Sequence, residues 1–107
     1  MKIDGGLGNL MKQAEKLKED IDRVQNEAGE KIVEASSGGG MVTVTAKAKG
    51  EIQSIRIDPE ITGGDDTEML QDLISAAINE ALSRGRKMMK EEISKIAGGM
   101  GLPPGIL

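Results

Sequence analysis

Between Leu7 and Ala28 the apolar residues fall at Leu7, Leu10, Ala14, Leu17, Ile21, Val24 and Ala28. The intervals alternate between three and four, the a/d repeat of a helix that pairs with another helix. Met11 widens the seam at an e position. The pattern predicts a helix over residues 7–29, started by Asn9 or by the Gly-rich segment Gly5–Gly8 and ended by Gly29. A narrow seam on an otherwise polar helix requires a second helix against it.

From Lys31 the period changes. Lys31–Ala35 reads as a short strand, and Ser36-Ser37-Gly38-Gly39-Gly40 as a turn in which glycine accepts positive φ. Val42, Val44, Ala46 and Ala48 then alternate with Thr43, Thr45, Lys47 and Lys49, which describes a half-buried strand. Gly50-Glu51 makes the next turn, and Ile52–Ile57 is a third strand stopped by Asp58-Pro59. Three short strands in succession over residues 31–58 imply an antiparallel meander.

A loop runs from Glu60 to Asp66. Asp65 can cap a helix, with Glu68 completing a capping box. A helix is predicted over residues 66–97, with a wide apolar stripe that includes Leu70, Leu73, Ile74, Ala77, Ile78, Ala81, Leu82, Met88, Met89, Ile93 and Ile96. Gly85 interrupts it at a cost of ~1 kcal/mol relative to alanine. Either that loss is tolerated or another helix approaches closely there. Residues 98–107 are rich in Gly and Pro and read as a flexible tail. The expectation is one domain over residues 1–97, an α+β fold of order α-β-β-β-α with a long helix on either side of the three-stranded meander.

Composition narrows the chemistry. The chain has 107 residues, of which 37% are apolar and none is aromatic. No side chain offers the buried area of a Phe or Trp, and a monomer of this size buries only ~60–70% of its unfolded surface. A partner chain is therefore expected to complete the core, making an obligate homodimer. The absence of His and Cys excludes Ser–His and Cys–His nucleophiles and thiolate or imidazole metal sites. Neither an enzyme nor a cofactor or metal is expected, and no small-molecule substrate. Lack of aromatics removes the usual stacking platform for unpaired bases. Lack of Cys suits a cytosolic protein. No stretch approaches the ~20 apolar residues of a membrane span. The start, Met1-Lys2-Ile3-Asp4-Gly5-Gly6, has no apolar segment of signal-peptide type, so a cytoplasmic location is expected.

The net charge of −4 argues against a nucleic-acid partner when taken whole. Its distribution says more. Residues 59–80 hold six acids and no base, whereas residues 81–107 hold five bases and two acids. A helix dipole favours that polarity. Yet Arg84, Arg86, Lys87 and Lys90 crowd into seven residues, more than dipole compensation requires. On the first helix Lys12, Lys16, Glu19 and Arg23 fall at f and c positions and form a row facing away from the seam. A solvated face and a binding face both fit that row. Asp58, Glu60, Asp65 and Asp66 lack the spacing of a calcium loop. Gly5-Gly6-Leu7-Gly8 lacks the string and the preceding strand of a phosphate loop.

Five segments in register resemble the YbaB/EbfC family of small bacterial nucleoid-associated proteins. They are Gly6-Leu7-Gly8-Asn9-Leu10-Met11-Lys12-Gln13-Ala14, Gly39-Gly40-Met41-Val42-Thr43-Val44 and Ile55-Arg56-Ile57-Asp58-Pro59, then residues 68–81 (Glu68-Met69-Leu70-Gln71-Asp72-Leu73-Ile74-Ser75-Ala76-Ala77-Ile78-Asn79-Glu80-Ala81) and Gly101-Leu102-Pro103-Pro104-Gly105. The resemblance implies an intertwined homodimer whose helices project from a shared sheet like the arms of tweezers. It also implies binding of double-stranded DNA with low or modest sequence specificity, a change in DNA conformation, effects on gene expression and nucleoid organisation, and no enzymatic activity. Lys12 lies within a matched segment. Lys16, Arg23, Arg84, Arg86, Lys87 and Lys90 are DNA-binding candidates on charge and helix position alone. The alternative is a dimeric protein-interaction module of the recombination or replication apparatus, without direct DNA contact.

Overall fold

The computed structural model describes residues 3–99. Its chain order is α1 (Ile3–Glu27), β1 (Ile32–Ser37), β2 (Val42–Lys47), β3 (Glu51–Ile57), α2 (Pro59–Thr62) and α3 (Thr67–Gly99). The strands form one antiparallel sheet in the order β1-β2-β3. This is the α+β meander between two long helices that the periodicity predicts, with the added turn of α2 where a plain loop was expected. Residues 100–107, most of the expected tail, lie outside the described residues, while Gly98 and Gly99 belong to α3.

Register places Val33 and Ala35 of β1, Val42, Val44 and Ala46 of β2, and Ile52, Ile55 and Ile57 of β3 on one face. The first half of α3 covers that face with Leu70, Leu73, Ile74, Ala77, Ile78 and Ala81. It crosses β1 and β2 and barely touches β3. The core is thin: Val42 and Val44 are its largest fully buried side chains. On β3, Ile55 consequently stays 44% exposed although it sits opposite buried Val44. The other face is mostly polar, with Ile32 of β1 53% exposed on it and Thr43 buried between Ser36 and Arg56.

Several local devices set this geometry. Gly38, Gly39 and Gly40 all take positive φ, between 59° and 97°, turning β1 tightly into β2. Ser37 Oγ at that turn donates to the Leu73 carbonyl of α3 at 2.6 Å, tying the hairpin to the helix. Asp58 caps α2 by accepting from the Glu60 amide at 2.9 Å, with Pro59 at the first helical position. For α3 the cap is Asp66 rather than Asp65: Asp66 Oδ1 accepts from the Met69 amide at 2.9 Å. Two adjacent aspartates made the register ambiguous by one residue.

α1 starts earlier than its apolar seam suggests, because the helix runs through Gly5, Gly6 and Gly8. It stops at Glu27 and tightens into a 3₁₀ turn, Ala28–Glu30, in which Ala28 and Gly29 are buried. α1 packs along α3, and Leu17, Ile21 and Val24 are half-buried there. The protein measures 77 × 20 × 18 Å, with a radius of gyration of 20.4 Å, against about 13 Å for a compact domain of ~100 residues. The second half of α3 and its companion α1 form an arm extending from the sheet.

At the foot of the arm, Glu30 reaches Lys47 and Lys49, each at 2.8 Å. Hydrogen bonds from these two ammonium groups hold the Glu30 carboxyl down to about 2 from an ordinary 4.5. Lys49 is pushed up in return, chiefly by its hydrogen bond to Glu30. A depressed carboxyl stabilises the fold above its unfolded value and loses that contribution as pH falls through its folded value. Wild type is therefore expected to melt above Glu30→Gln at pH 6. The gap should close between pH ~4.5 and ~2, read by circular dichroism melts of both chains. A gap that persists at pH 2 would show that the ion pairs are not its source.

Candidate functional site

At position 85 α3 comes into close contact with the turn that follows β2, and Met88 is its last side chain packed against the core. A Cβ on Gly85 would lie 2.9 Å from the Ala48 carbonyl oxygen and 3.1 Å from the Ala48 Cα. The close approach anticipated as one reading of this glycine is real, but its partner is that turn and not a helix. Immediately beyond it α3 carries Arg86, Lys87 and Lys90, all exposed.

The seven cationic candidates divide by what they touch. Arg84 Nη1 donates to the Glu34 carbonyl of edge strand β1 at 2.6 Å, and its Nε lies 3.2 Å from Glu80 Oε1. It closes part of the unpaired edge of β1. Arg23 pairs with Asp20 at 3.1 Å. Lys12, Lys16, Arg86, Lys87 and Lys90 are exposed and form no ion pair among the described residues. Lys12 and Lys16 stand on α1, whereas Arg86, Lys87 and Lys90 gather within about 6 Å of helix rise on α3.

A shallow, open depression on α3 is lined by Lys87, Lys90, Glu91, Ser94 and Lys95. Ser94 and Lys95 were not singled out from the sequence. The three- and four-residue intervals from Lys87 through Lys90 and Glu91 to Ser94 were the available signal. Lys95 also lies 3.3 Å from Glu92.

The acids occupy the opposite stretch of α3 and its approach. Residues from Asp65 to Asp72 are about 22–37 Å of helix rise from the pair Lys87 and Lys90. That exceeds two Debye lengths of ~8 Å at physiological ionic strength. The net charge of −4 therefore does not describe the arm, where α1 and residues 86–99 of α3 together hold eight bases and eight acids, so any positive field there is local to Arg86, Lys87 and Lys90. Among the described residues no group of three or more His, Cys, Asp or Glu could hold a metal ion, and no helix is long and apolar enough to cross a membrane.

Comparison with known proteins agrees with this architecture. Residues 4–100 match the model of the YbaB/EbfC DNA-binding family. A nucleoid-associated protein of Acetivibrio thermocellus is 55% identical over 102 residues, covering 95% of this chain and 90% of its own. One from Moorella thermoacetica is 48% identical over 99 residues, covering 92% and 95%. The crystal structure of an uncharacterized protein from Helicobacter pylori superposes with a TM-score of 0.61 at 25% identity, covering 82% of this chain and 98% of that one.

Proposed function

The chain belongs to the YbaB/EbfC DNA-binding family, and from that premise we propose that it is a homodimeric nucleoid-associated protein of the cytoplasm that binds double-stranded DNA through its projecting arms. The observation that carries this reading is the exposed cluster Arg86, Lys87 and Lys90 on the part of α3 beyond the sheet. Lys12 and Lys16 on α1 add to it. Arg23 and Arg84 contribute field more than contact, because each already has a protein partner.

The mechanism follows from the residue types. Lysine and arginine on exposed helix meet phosphate oxygens, which positions the duplex without reading bases. No aromatic side chain is present to stack on bases or wedge between them. Selection then rests on groove width and the ease of bending, and binding changes DNA conformation to the extent that two arms impose their own spacing. Neither a bound cofactor nor catalytic turnover enters this function.

Dimerisation is supported by the uncovered flank of the sheet. Ile52 and Ile57 are half-buried, Ile55 is exposed, and β3 has a free edge. A second copy laid against β3 removes these isoleucines from water and enlarges a core whose largest fully buried side chains are valines. It also doubles every cation on the arms.

A duplex titration at two or more salt concentrations tests the reading. Two phosphate contacts per chain, doubled in a dimer, give a log–log slope of about 3–4. Comparable slopes and affinities are expected on unrelated sequences. No binding at low salt would overturn the proposal in favour of a protein-interaction module.

A further inference from the structure

The contacts that hold α3 and its arm to the sheet fall into two groups. One group gathers at a single place, the turn after β2. Gly85 lies so close to Ala48 there that a Cβ would sit 2.9 Å from the Ala48 carbonyl oxygen. The Ala48 amide donates to the Lys31 carbonyl at 2.8 Å, and the Lys49 amide to the Gly29 carbonyl at 3.1 Å. These contacts fix a point on α3 but not its direction. Apolar packing adds only weakly to direction, because the α3 side chains fully buried on the sheet are Ala77 and Ala81. Crossing angles are set by side-chain ridges that enter grooves, and alanine makes a low ridge.

The second group is two hydrogen bonds placed away from that point. Arg84 Nη1 donates to the Glu34 carbonyl at 2.6 Å, about 10 Å along β1 from Lys31. Glu80 Oε1, 3.2 Å from Arg84 Nε, holds the guanidinium one turn back on the helix. Ser37 Oγ donates to the Leu73 carbonyl at 2.6 Å, about 20 Å along β1 from Lys31 and about 18 Å along α3 from Gly85. A helix held at one point can swing about it. Two further ties, at different distances from that point, fix its bearing.

We propose that Ser37 and Arg84 are positioning residues for the DNA-binding arm: by fixing the crossing angle of α3 on β1 they set where Lys87 and Lys90 point. Its effect on binding rests on the DNA reading above, whereas its effect on the arm rests on the two hydrogen bonds alone. Lys90 stands about 9 Å beyond Arg84 along the helix, and Gly98 about 21 Å. A swing of about 15° about Arg84 therefore moves Lys90 by about 2 Å and Gly98 by about 5 Å. Charge-assisted hydrogen bonds close at about 2.7–2.9 Å, so a displacement of that size breaks phosphate contacts without removing any cation. In a dimer both arms are displaced.

The chain has no cysteine, so spin labels at Gln53→Cys on β3 and Gly98→Cys on the arm, both exposed, measure the bearing by pulsed electron paramagnetic resonance. Labelled chains are diluted into unlabelled protein, so that each distance is within one chain. Ser37→Ala and Arg84→Gln should each shift or broaden the distance distribution by at least about 3 Å, and Arg84→Lys, which keeps a donor, should return it towards wild type. Ser37→Ala changes no charge, yet should bind duplex DNA at least about fivefold more weakly with the salt slope unchanged. Thr45→Ala is the control, since it removes a side-chain hydrogen bond to Ser54 elsewhere on the sheet. It should leave both the distance and the affinity as in wild type. Wild-type distances in both Ser37→Ala and Arg84→Gln would overturn the proposal, as would shifted distances with wild-type affinity. A salt slope lower by about 2 in Arg84→Gln with the distance unmoved would also overturn it, by making Arg84 a direct phosphate contact in each chain of the dimer. Failure of wild type to bind duplex would refute the DNA reading, and the distances would still uphold or overturn the part played by Ser37 and Arg84 in aiming the arm.

Discussion

Replacing Gly85 by alanine is expected to lower the melting temperature by about 5–15 °C, although helix propensity alone favours alanine. The propensity gain is ~1 kcal/mol. Against it, the new Cβ would sit 2.9 Å from the Ala48 carbonyl oxygen, and that neighbour is backbone of the turn just past β2, pinned by the Ala48 amide donating to the Lys31 carbonyl at 2.8 Å. Overpacking of this kind costs ~1–3 kcal/mol and more where the backbone must move. The balance is a net loss of about 1–2 kcal/mol, and each kcal/mol is worth ~4–8 °C in a domain of this size. Gly98→Ala is the matched control, because a Cβ there would meet nothing within 4 Å. It should leave the midpoint unchanged or raise it. If Gly85→Ala melts with wild type, α3 does not approach β2 as closely as described. The position also bears on function, since the cationic cluster begins at the next residue. A helix displaced at Gly85 would aim Arg86, Lys87 and Lys90 elsewhere.

Much of this fold is legible in periodicity. The 3-4 spacing of α1, the strict alternation of β2 and the stripe of α3 each follow from one face being buried. The Gly38–Gly40 turn follows from backbone freedom. What could not be read depends on where elements lie against each other. Thr43 belongs by period to the polar face, and its burial comes from neighbouring strands placing Ser36 and Arg56 on either side. Ile55 belongs by period to the core face, and its exposure follows from α3 lying over β1 and β2 only. α1 begins at Ile3 and not near residue 7 because glycine lowers helix propensity without forbidding the helix. Gly85 was legible as an anomaly, but its partner is 37 residues away in sequence and could not be named.

The candidate site shows the same division. Its charge pattern is local, so the crowding of Arg84, Arg86, Lys87 and Lys90 was visible without coordinates. Which of these cations is free is a tertiary question. Arg84 reaches a carbonyl 50 residues away, a contact that no spacing rule could reveal. Lys87 and Lys90 therefore carry more of the proposed function than a count of positive residues would assign them, and they provide its sharpest test.

Lys87→Glu/Lys90→Glu should bind duplex DNA about 10²–10³-fold more weakly than wild type at ~0.1 M salt. In a dimer the double variant removes four cations that face solvent, and up to four phosphate contacts. Each contact contributes ~0.9 to the log–log salt slope, so the slope should drop by about 3–4 if all four contact the backbone. Reversing the charge adds repulsion to the loss. The fold should hold, because both side chains are exposed and form no ion pair among the described residues, and surface changes of this kind stay within ~0.5 kcal/mol. The control must lie on the sheet and away from existing ion pairs. Lys47 is unsuitable, since it is held by Glu30 at 2.8 Å. Arg56→Glu, on the polar face of β3 and exposed, satisfies both conditions and should bind within about threefold of wild type. Phosphate contacts carry no sequence information, so the loss in the arm variant should be the same on unrelated duplexes. The opposite pattern, a normal arm variant and a defective Arg56→Glu, would move the DNA surface from the arms to the polar face of the sheet.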